Sequence, residues 1–188
     1  YFYAVKEITR TGGDERTPRI GNFIFFSQII KSTVEVGKCY SSADPTAENL
    51  FETVATDGGF ISLPEAGEVL KLVPLGSSLF VFATNGVWEI FGGEEGFSAL
   101  NQNVVKTSTT GALSSNSVIA SESVITYWAH SGINFVTIDQ TTNRGVAVNS
   151  TTTTIQSLYN AIPLSEKKRA IGCFDEVNRR LRWLYSNT

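Results

Sequence analysis

The sequence predicts a mainly β fold of short antiparallel strands with one or two short helices. Three observations predict it: short runs rich in β-branched and aromatic residues, turn residues at the ends of those runs, and a weak internal repeat. The runs, bounded by Gly, Asn, Asp or Ser, are Ile20–Ser27, Ser32–Tyr40, Leu79–Ala83, Val87–Phe91, Ser123–Ala129, Ile133–Ile138 and Leu181–Tyr185.

The composition sets the scale of this fold. The chain has 188 residues, of which 41% are hydrophobic, so it can bury a sizeable core. It contains no Met and stops soon after a strand-like run, and we therefore expect an internal segment of a longer polypeptide. Its apolar runs are shorter than the ~20 residues that cross a bilayer, and no membrane anchor is predicted.

Two segments are typical of helices rather than strands. Asp44 precedes Pro45, so a helix can begin there with Asp44 as its cap and continue to Ala55. Further on, Ile155, Leu158, Tyr159 and Ile162 form one apolar stripe of a short helix that ends before Pro163.

The repeat consists of hairpins. Leu79–Ile90 and Val124–Phe135 superpose as strand, tight turn and strand, with turn glycines Gly86 and Gly132 lying 46 residues apart. We expect Asn85-Gly86 to form a primed two-residue turn. A third hairpin is predicted with Asp175–Asn178 as its turn.

Repeated hairpins at this period indicate β-propeller-type blades of antiparallel strands. The predicted blade-like units are residues 18–65, 66–110, 111–150 and 151–188. Because a blade packs against a neighbour on each face, its inner strands should be apolar on both, as Leu79–Ala83 is. A two-layer sandwich with apolar central strands is the alternative.

No catalytic, cofactor-binding or metal-binding residue is predicted, and an enzyme is not expected. His130 is the only histidine and falls in a turn, where a solvated side chain is expected. Gly92–Gly96 carries two carboxylates, which would repel a phosphate, so a plain loop is predicted. Asp139–Gly145 lacks the distal Glu of a calcium loop. Asp57 begins a turn in which glycine supplies a positive φ angle, and no acid occupies an apolar setting that would obviously raise its pKa.

The remaining polar features favour ordinary structural roles. Cys39 and Cys173 are expected to be reduced, half-buried thiols, since a disulfide framework needs denser spacing. The net charge of −3 argues against a dedicated nucleic-acid binder. Lys167–Arg169 is interpreted as a solvated turn and Arg179–Arg182 as the wet face of an outer strand, with an acidic partner subunit as the alternative. Asn149-Ser150-Thr151 matches a glycosylation acceptor without a secretory context.

A series of motifs in a fixed order carries a resemblance. The motifs are Pro18–Ser27, Tyr40–Phe51, Thr56–Ile61, Leu79–Gly93, Lys106–Val118, Tyr127–Ile133, Thr154–Pro163 and Phe174–Tyr185. This series resembles the tail nozzle, or tail tubular protein B, of short-tailed bacteriophages. The resemblance covers nearly the whole chain from Pro18 onward.

The resemblance implies a structural virion protein with a β-propeller body, located in the phage tail. Members of that family form a hexameric ring next to the tail adaptor protein and the tail fibres. Phage DNA passes through the central channel without sequence-specific binding, and the ring takes part in host attachment and genome ejection. Because family members are several times larger, this chain would be the central part of one. The resemblance implies no catalytic residues.

Two other functions stay open on the residues alone. A carbohydrate-binding propeller would stack sugar rings on Trp88, Trp128 or Trp183. A propeller glycosidase would need two carboxylates, for which Asp57 and Asp139 are the candidates.

Overall fold

The computed structural model describes residues 2–8, 19–28, 32–35, 54–94, 96–151 and 154–186. In these residues four antiparallel sheets and two short helices are present, which confirms the mainly β class. The chain divides into two compact units, one formed by Tyr1–Val69 with Phe91–Asn103 and the other by Leu70–Ile90 with Val104–Thr188.

The first unit contains a three-stranded sheet in the order β1-β2-β3. Its strands are β1 (Phe2–Ile8), β2 (Arg19–Phe26) and β3 (Gly59–Ser62). The ring of Phe26 packs edge-on against Phe97, with ring centroids 5.0 Å apart. Strand β2 confirms the run predicted at Ile20–Ser27, whereas Thr33–Glu35 forms a 3₁₀ turn where a strand was predicted.

The second unit holds the larger part of the sheet structure. Its first sheet runs in the order β4 (Val69–Leu75), β5 (Ser78–Ala83), β6 (Gly86–Phe91) and β7 (Asn103–Ser108), the terminal residues Val69, Phe91 and Asn103 belonging to the first unit. Its second sheet contains β8 (Ile119–Ala120), β9 (Val124–Ala129), β10 (Gly132–Asp139) and β11 (Arg144–Asn149), also in chain order. A hairpin of β12 (Ile171–Asp175) and β13 (Arg180–Leu184) forms the last sheet.

The two four-stranded sheets of this unit pack face to face through one core. Phe80 and Phe82 of β5 lie in it together with Tyr127 of β9, and the rings of Phe82 and Tyr127 meet edge-on at 5.1 Å. Val81 points to the other face of β5 and is fully buried as well. The prediction that this hairpin is buried on both faces is therefore confirmed.

The turns of the two repeated hairpins differ from the prediction by one residue. Thr84 and Asn85 form the first turn, and Gly86 is already part of β6, where it pairs with Ala83. Positive φ occurs at Gly86, at +155°, and not at Asn85, so the predicted primed turn is wrong. In the second hairpin Gly132 has a φ of +156° and pairs with Ala129 in the same way.

Both glycines are also required by a close approach of the chain. A Cβ at Gly86 would lie 2.5 Å from the carbonyl oxygen of Ser108, and one at Gly132 would overlap the hydroxyl of Thr151. Ser108 is the last residue of β7, and Thr151 lies two residues after the end of β11, so each lies where the chain leaves the last strand of its sheet. The chain therefore crosses the tip of the hairpin each time it leaves one sheet for the next element.

Gly86→Ala should lower the free energy of unfolding by roughly 1–3 kcal/mol, because the methyl group meets backbone and the φ angle disfavours L residues. Gly96→Ala is the matched control, since Gly96 has a φ of +84° but open space around the added Cβ. Urea unfolding of both variants measures the difference. If the two variants lost equal free energies of unfolding, crowding at the hairpin tip would not contribute to the cost of Gly86→Ala.

Two helices follow the second sheet. Helix α1 (Gln156–Ala161) confirms the helix predicted before Pro163, and α2 (Leu164–Arg169) begins directly after that proline. Tyr159 is buried and Ile162 packs on the same cluster, whereas Ile155 and Leu158 are exposed, so half of the predicted stripe is wrong. The helix predicted to begin at Asp44 lies outside the described residues apart from its last two residues, Val54 and Ala55, which are not helical.

Candidate functional site

A buried carboxylate joins the two four-stranded sheets. Glu89 lies on β6 and is 1% exposed. Its Oε1 accepts a hydrogen bond from the hydroxyl of Ser78 at 2.6 Å, and its Oε2 accepts one from the backbone N–H of Gly145 at 3.0 Å. Gly145 belongs to β11 and has no room for a side chain, since a Cβ there would lie 2.5 Å from the ring of Phe80.

We call Ser78, Glu89 and Gly145 the sheet joint. Glu89 sits within a strand that is buried along its whole length, and it was not among the carboxylates that the sequence singled out, Asp57 and Asp139. Both carboxylate oxygens have donors, so the cost of burying the carboxylate is offset by hydrogen bonds. The sequence signal was a single Glu inside an apolar strand that was itself predicted to be buried on both faces.

A second connection lies at the hairpin tips. The segment 111–113 runs between them: the N–H of Ala112 donates to the carbonyl of Ala83 at 3.0 Å, and the N–H of Leu113 donates to the carbonyl of Trp128 at 2.9 Å. A Cβ at Gly111 would overlap the backbone of Thr84. Main-chain bonds thus hold the two hairpins at fixed positions relative to each other.

Aromatic residues of β9, α1 and the end of the chain around β13 form one cluster, which we call the tryptophan cluster. Trp128 is its centre, with Tyr159 at 5.2 Å, Tyr185 at 5.9 Å and Trp183 at 6.0 Å between ring centroids. Lys167 places its Nζ 4.2 Å from the centroid of the Tyr159 ring. Burial raises the pKa of Tyr159 and lowers the pKa of Lys167. The shift of Tyr159 moves that hydroxyl away from proton transfer near neutral pH.

The tryptophans offer little surface to a sugar. Trp88 is 5% exposed and Trp128 is 3% exposed, so neither ring presents a free face. Lys106 lies over the Trp88 ring, with its Nζ 4.8 Å from the centroid. Trp183 is half-buried and donates its indole N–H to the carbonyl of Ser117 at 3.1 Å. Stacking on a ligand needs an exposed ring face, which Trp88 and Trp128 do not have.

The acidic residues of the turns act as caps. Asp139 accepts from the backbone N–H groups of Thr141 and Thr142 at 2.8 and 2.9 Å, and Asp175 accepts from Asn178 through both oxygens. The two turns are alike. Four residues lie between the Asp and the Arg opposite it in the strand register, which is Arg144 or Arg180. The last of these four residues, Asn143 or Arg179, has positive φ. Asp175–Asn178 was predicted as a turn, and this is confirmed.

These hydrogen bonds lower the pKa of both carboxyl groups, mainly through Thr142 and Thr141 for Asp139 and through Asn178 for Asp175. A lowered pKa suits a permanent carboxylate and not the general acid of a glycosidase. Asp57 likewise accepts from the N–H of Val54 at 2.9 Å. The positive φ predicted in the turn that follows Asp57 is wrong, because Gly58 and Gly59 both lack it; a Cβ at Gly59 would instead lie 2.7 Å from the Phe26 ring.

Acid should loosen the two capped turns. A carboxyl whose folded pKa lies below its unfolded value of about 3.9 stabilises the fold above that value, and this contribution is lost as pH falls through the folded pKa. Asp139→Asn should therefore lower the melting temperature at pH 7 and leave it less sensitive to pH between 5 and 2. Thermal unfolding across that range tests this. An unchanged pH dependence in both Asp139→Asn and Asp175→Asn would contradict it.

The other predicted positions have simple surroundings. His130 is exposed in the turn of the second hairpin, as predicted. Gly93 and Gly96 pair across a tight turn, and Asn101 bonds to both, which confirms a loop there. Cys173 has a free and exposed thiol where a half-buried one was predicted, because it lies on the open face of β12. Cys39 lies outside the described residues.

The basic residues divide between helix and strand. Lys167–Arg169 is the end of α2 and not a solvated turn, because Lys167 is buried against Tyr159. On β13 Leu181 and Trp183 are half-buried while Arg180 and Arg182 are exposed, which confirms the predicted alternation. Arg182 pairs with Asp175 at 2.8 Å.

The possible acceptor Asn149 is used within the fold. Its Oδ1 accepts from the N–H and the hydroxyl of Thr151, both at 2.9 Å, and Thr151 is itself buried. The hydrogen bonds between Asn149 and Thr151 fix the conformation of the segment that crosses the tip of the second hairpin.

In the part of the chain that the structure describes, no three His, Cys, Asp or Glu side chains are grouped to hold a metal ion. Within that same part no helix has the length and hydropathy to cross a membrane. The chain matches no family model, no curated protein and no solved structure.

Proposed function

We propose that this chain is a non-enzymatic structural subunit of the tail nozzle of a short-tailed bacteriophage. In this role it forms a homo-oligomeric ring, with six subunits expected, around the DNA exit channel of the virion tail. The ring contacts the tail adaptor protein and the tail fibres and takes part in host attachment and genome ejection. The ordered series of motifs from Pro18 to Tyr185 is the origin of the proposal.

The observation that carries it is the stacking of similar sheets. Each four-stranded sheet of the second unit follows the chain order of its strands, as the blade of a propeller does. The chain then crosses the hairpin tip on its way to the next element, at Ser108 and again near Thr151. These features support propeller-type blades, for which the units 66–110 and 111–150 are the best examples.

The use of polar residues supports a structural role. The carboxylate oxygens of Glu89, Asp139 and Asp175 accept hydrogen bonds from backbone and side-chain donors of the fold. A subunit with a net charge of −3 also suits a channel, because DNA must slide past without phosphate binding.

Electron microscopy and analytical ultracentrifugation of the natural gene product that contains this sequence test the proposal. Rings of defined subunit number that bind the adaptor protein are expected. A strictly monomeric protein with measurable glycoside hydrolysis, lost in Asp139→Ala, would overturn it. Binding to a glycan array that is lost in Trp183→Ala would instead favour a carbohydrate-binding propeller.

A further inference from the structure

The turn of the hairpin β5–β6 carries the only Asn-Gly pair in the sequence, Asn85-Gly86. Asn85 lies between the two strands and is exposed to solvent. An asparagine before glycine is prone to attack on its side-chain carbonyl carbon by the next backbone nitrogen, because glycine has no Cβ to hinder the approach. The turn therefore combines a reactive pair of residues with access to water.

Packing at the tip keeps position 86 a glycine. A Cβ there would lie 2.5 Å from the carbonyl oxygen of Ser108 and 3.2 Å from the ring of Trp88. The turn is also approached from its other side, where a Cβ at Gly111 would overlap the carbonyl group of Thr84. A side chain at position 86 would thus disturb the tip, and the reactive pair is a consequence of the fold.

A lysine ammonium lies beside this pair. Lys106 stands on β7, the neighbour of β6 in the sheet. Its Cε is 2.7 Å from the position that a Cβ of Gly86 would take, and its Nζ is one bond further along. The Nζ also lies 4.8 Å from the centroid of the Trp88 ring, and this cation–π contact favours the same placement of the ammonium. A positive charge is therefore held close to the backbone nitrogen of Gly86.

We propose that Asn85 is a site of spontaneous covalent modification, at which Lys106 promotes conversion of the side-chain amide to a carboxylate. The Gly86 nitrogen loses its proton and bonds to Cγ of Asn85, and the bond from Cγ to Nδ2 breaks so that ammonia leaves with that proton. Water then opens the five-membered imide and leaves an aspartyl or isoaspartyl residue. Water is the only co-reactant of the conversion.

Lys106 acts on the charge that develops during the attack. The deprotonated nitrogen and the oxygen of the tetrahedral intermediate are both negative, and a nearby ammonium stabilises both. The product is a carboxylate in the same turn, so each modified chain gains one negative charge at the hairpin tip. An isoaspartyl linkage also adds an atom to the main chain, next to the point where Gly86 already meets Ser108.

The rate of conversion of Asn85 in the folded chain at neutral pH tests the proposal. Peptide mapping by mass spectrometry follows Asn85 together with the other asparagines, which serve as internal references. Lys106→Met removes the charge and keeps the length of the side chain, whereas Lys106→Arg keeps the charge. We expect Lys106→Met to slow the conversion about fivefold, the effect of one unit charge about 4 Å away in water, and Lys106→Arg to keep the wild-type rate.

The same measurement in concentrated urea separates the effect of the fold from that of the sequence. Unfolding moves Lys106 away from Gly86, so the wild type and Lys106→Met should then convert Asn85 at equal rates. Added salt should slow the folded wild type, since Lys106 is exposed and its charge is screened. Circular dichroism before incubation checks that each variant is folded.

Three outcomes would overturn the inference. In the first, Asn85 of the folded wild type is converted no faster than the other asparagines. In the second, folded Lys106→Met converts Asn85 as fast as the wild type, or salt leaves the wild-type rate unchanged. In the third, the difference between the wild type and Lys106→Met persists in urea, where the two side chains no longer lie together.

Discussion

Trp88→Ala is expected to lower the free energy of unfolding by roughly 3–5 kcal/mol. Trp88 lies on β6, between two strands of its sheet, and is 5% exposed. Truncation removes its contact with Lys106 and leaves a cavity that the surrounding strands fill only in part. Chemical denaturation monitored by circular dichroism measures the loss.

Leu158→Ala is the control, because Leu158 is an apolar residue that is 68% exposed. Its truncation should change stability by less than about 0.5 kcal/mol. If Trp88→Ala folded with wild-type stability and lost only sugar binding, packing would not be the role of this side chain, and the nozzle proposal would lose its structural support.

Glu89→Ala should cost roughly 3 kcal/mol, since it combines a cavity with two donors left without an acceptor in the core. The hydroxyl of Ser78 and the N–H of Gly145 both depend on Glu89 at the sheet joint. Denaturation of Glu89→Ala at pH 7, with the m-value recorded, measures this loss.

Glu89→Gln separates charge from hydrogen bonding at the same position. The Gln carbonyl can accept from Gly145, and its amide can donate to the Ser78 oxygen, because a hydroxyl also accepts. We expect this variant to lose about 1 kcal/mol or less. A loss as large as that of Glu89→Ala would mean that the negative charge itself stabilises the joint.

The central strands were predictable because burial on both faces leaves a local signal. Strands β5, β6, β9 and β10 read as continuous apolar runs and were found to within a residue or two. Three edge strands of the two four-stranded sheets were missed: β4 contains Pro74, β7 is mostly exposed, and β11 begins with Arg144-Gly145. An edge strand pairs on one side only, so its sequence is less constrained.

The joints between sheets were not predictable, because their partners are far apart in sequence. Glu89 and Gly145 are separated by 56 residues, and Lys71 reaches the carbonyl of Val118 across 47. Local sequence also placed the tip of the first hairpin one residue late, since the glycine is needed for the crossing chain as well as for the turn.

The tip of the second hairpin and the turn capped by Asp139 lie at opposite ends of strand β10, so this strand has a constrained end and a permissive end. At the tip Gly132 touches the crossing segment, so an extra residue between Ala129 and Gly132 would displace it. At the other end the turn that Asp139 caps is exposed, and the hydrogen bonds of the cap are made to Thr141 and Thr142 of the same turn. Changes in loop length, and with them new surface properties, are therefore expected to accumulate at the capped end during evolution.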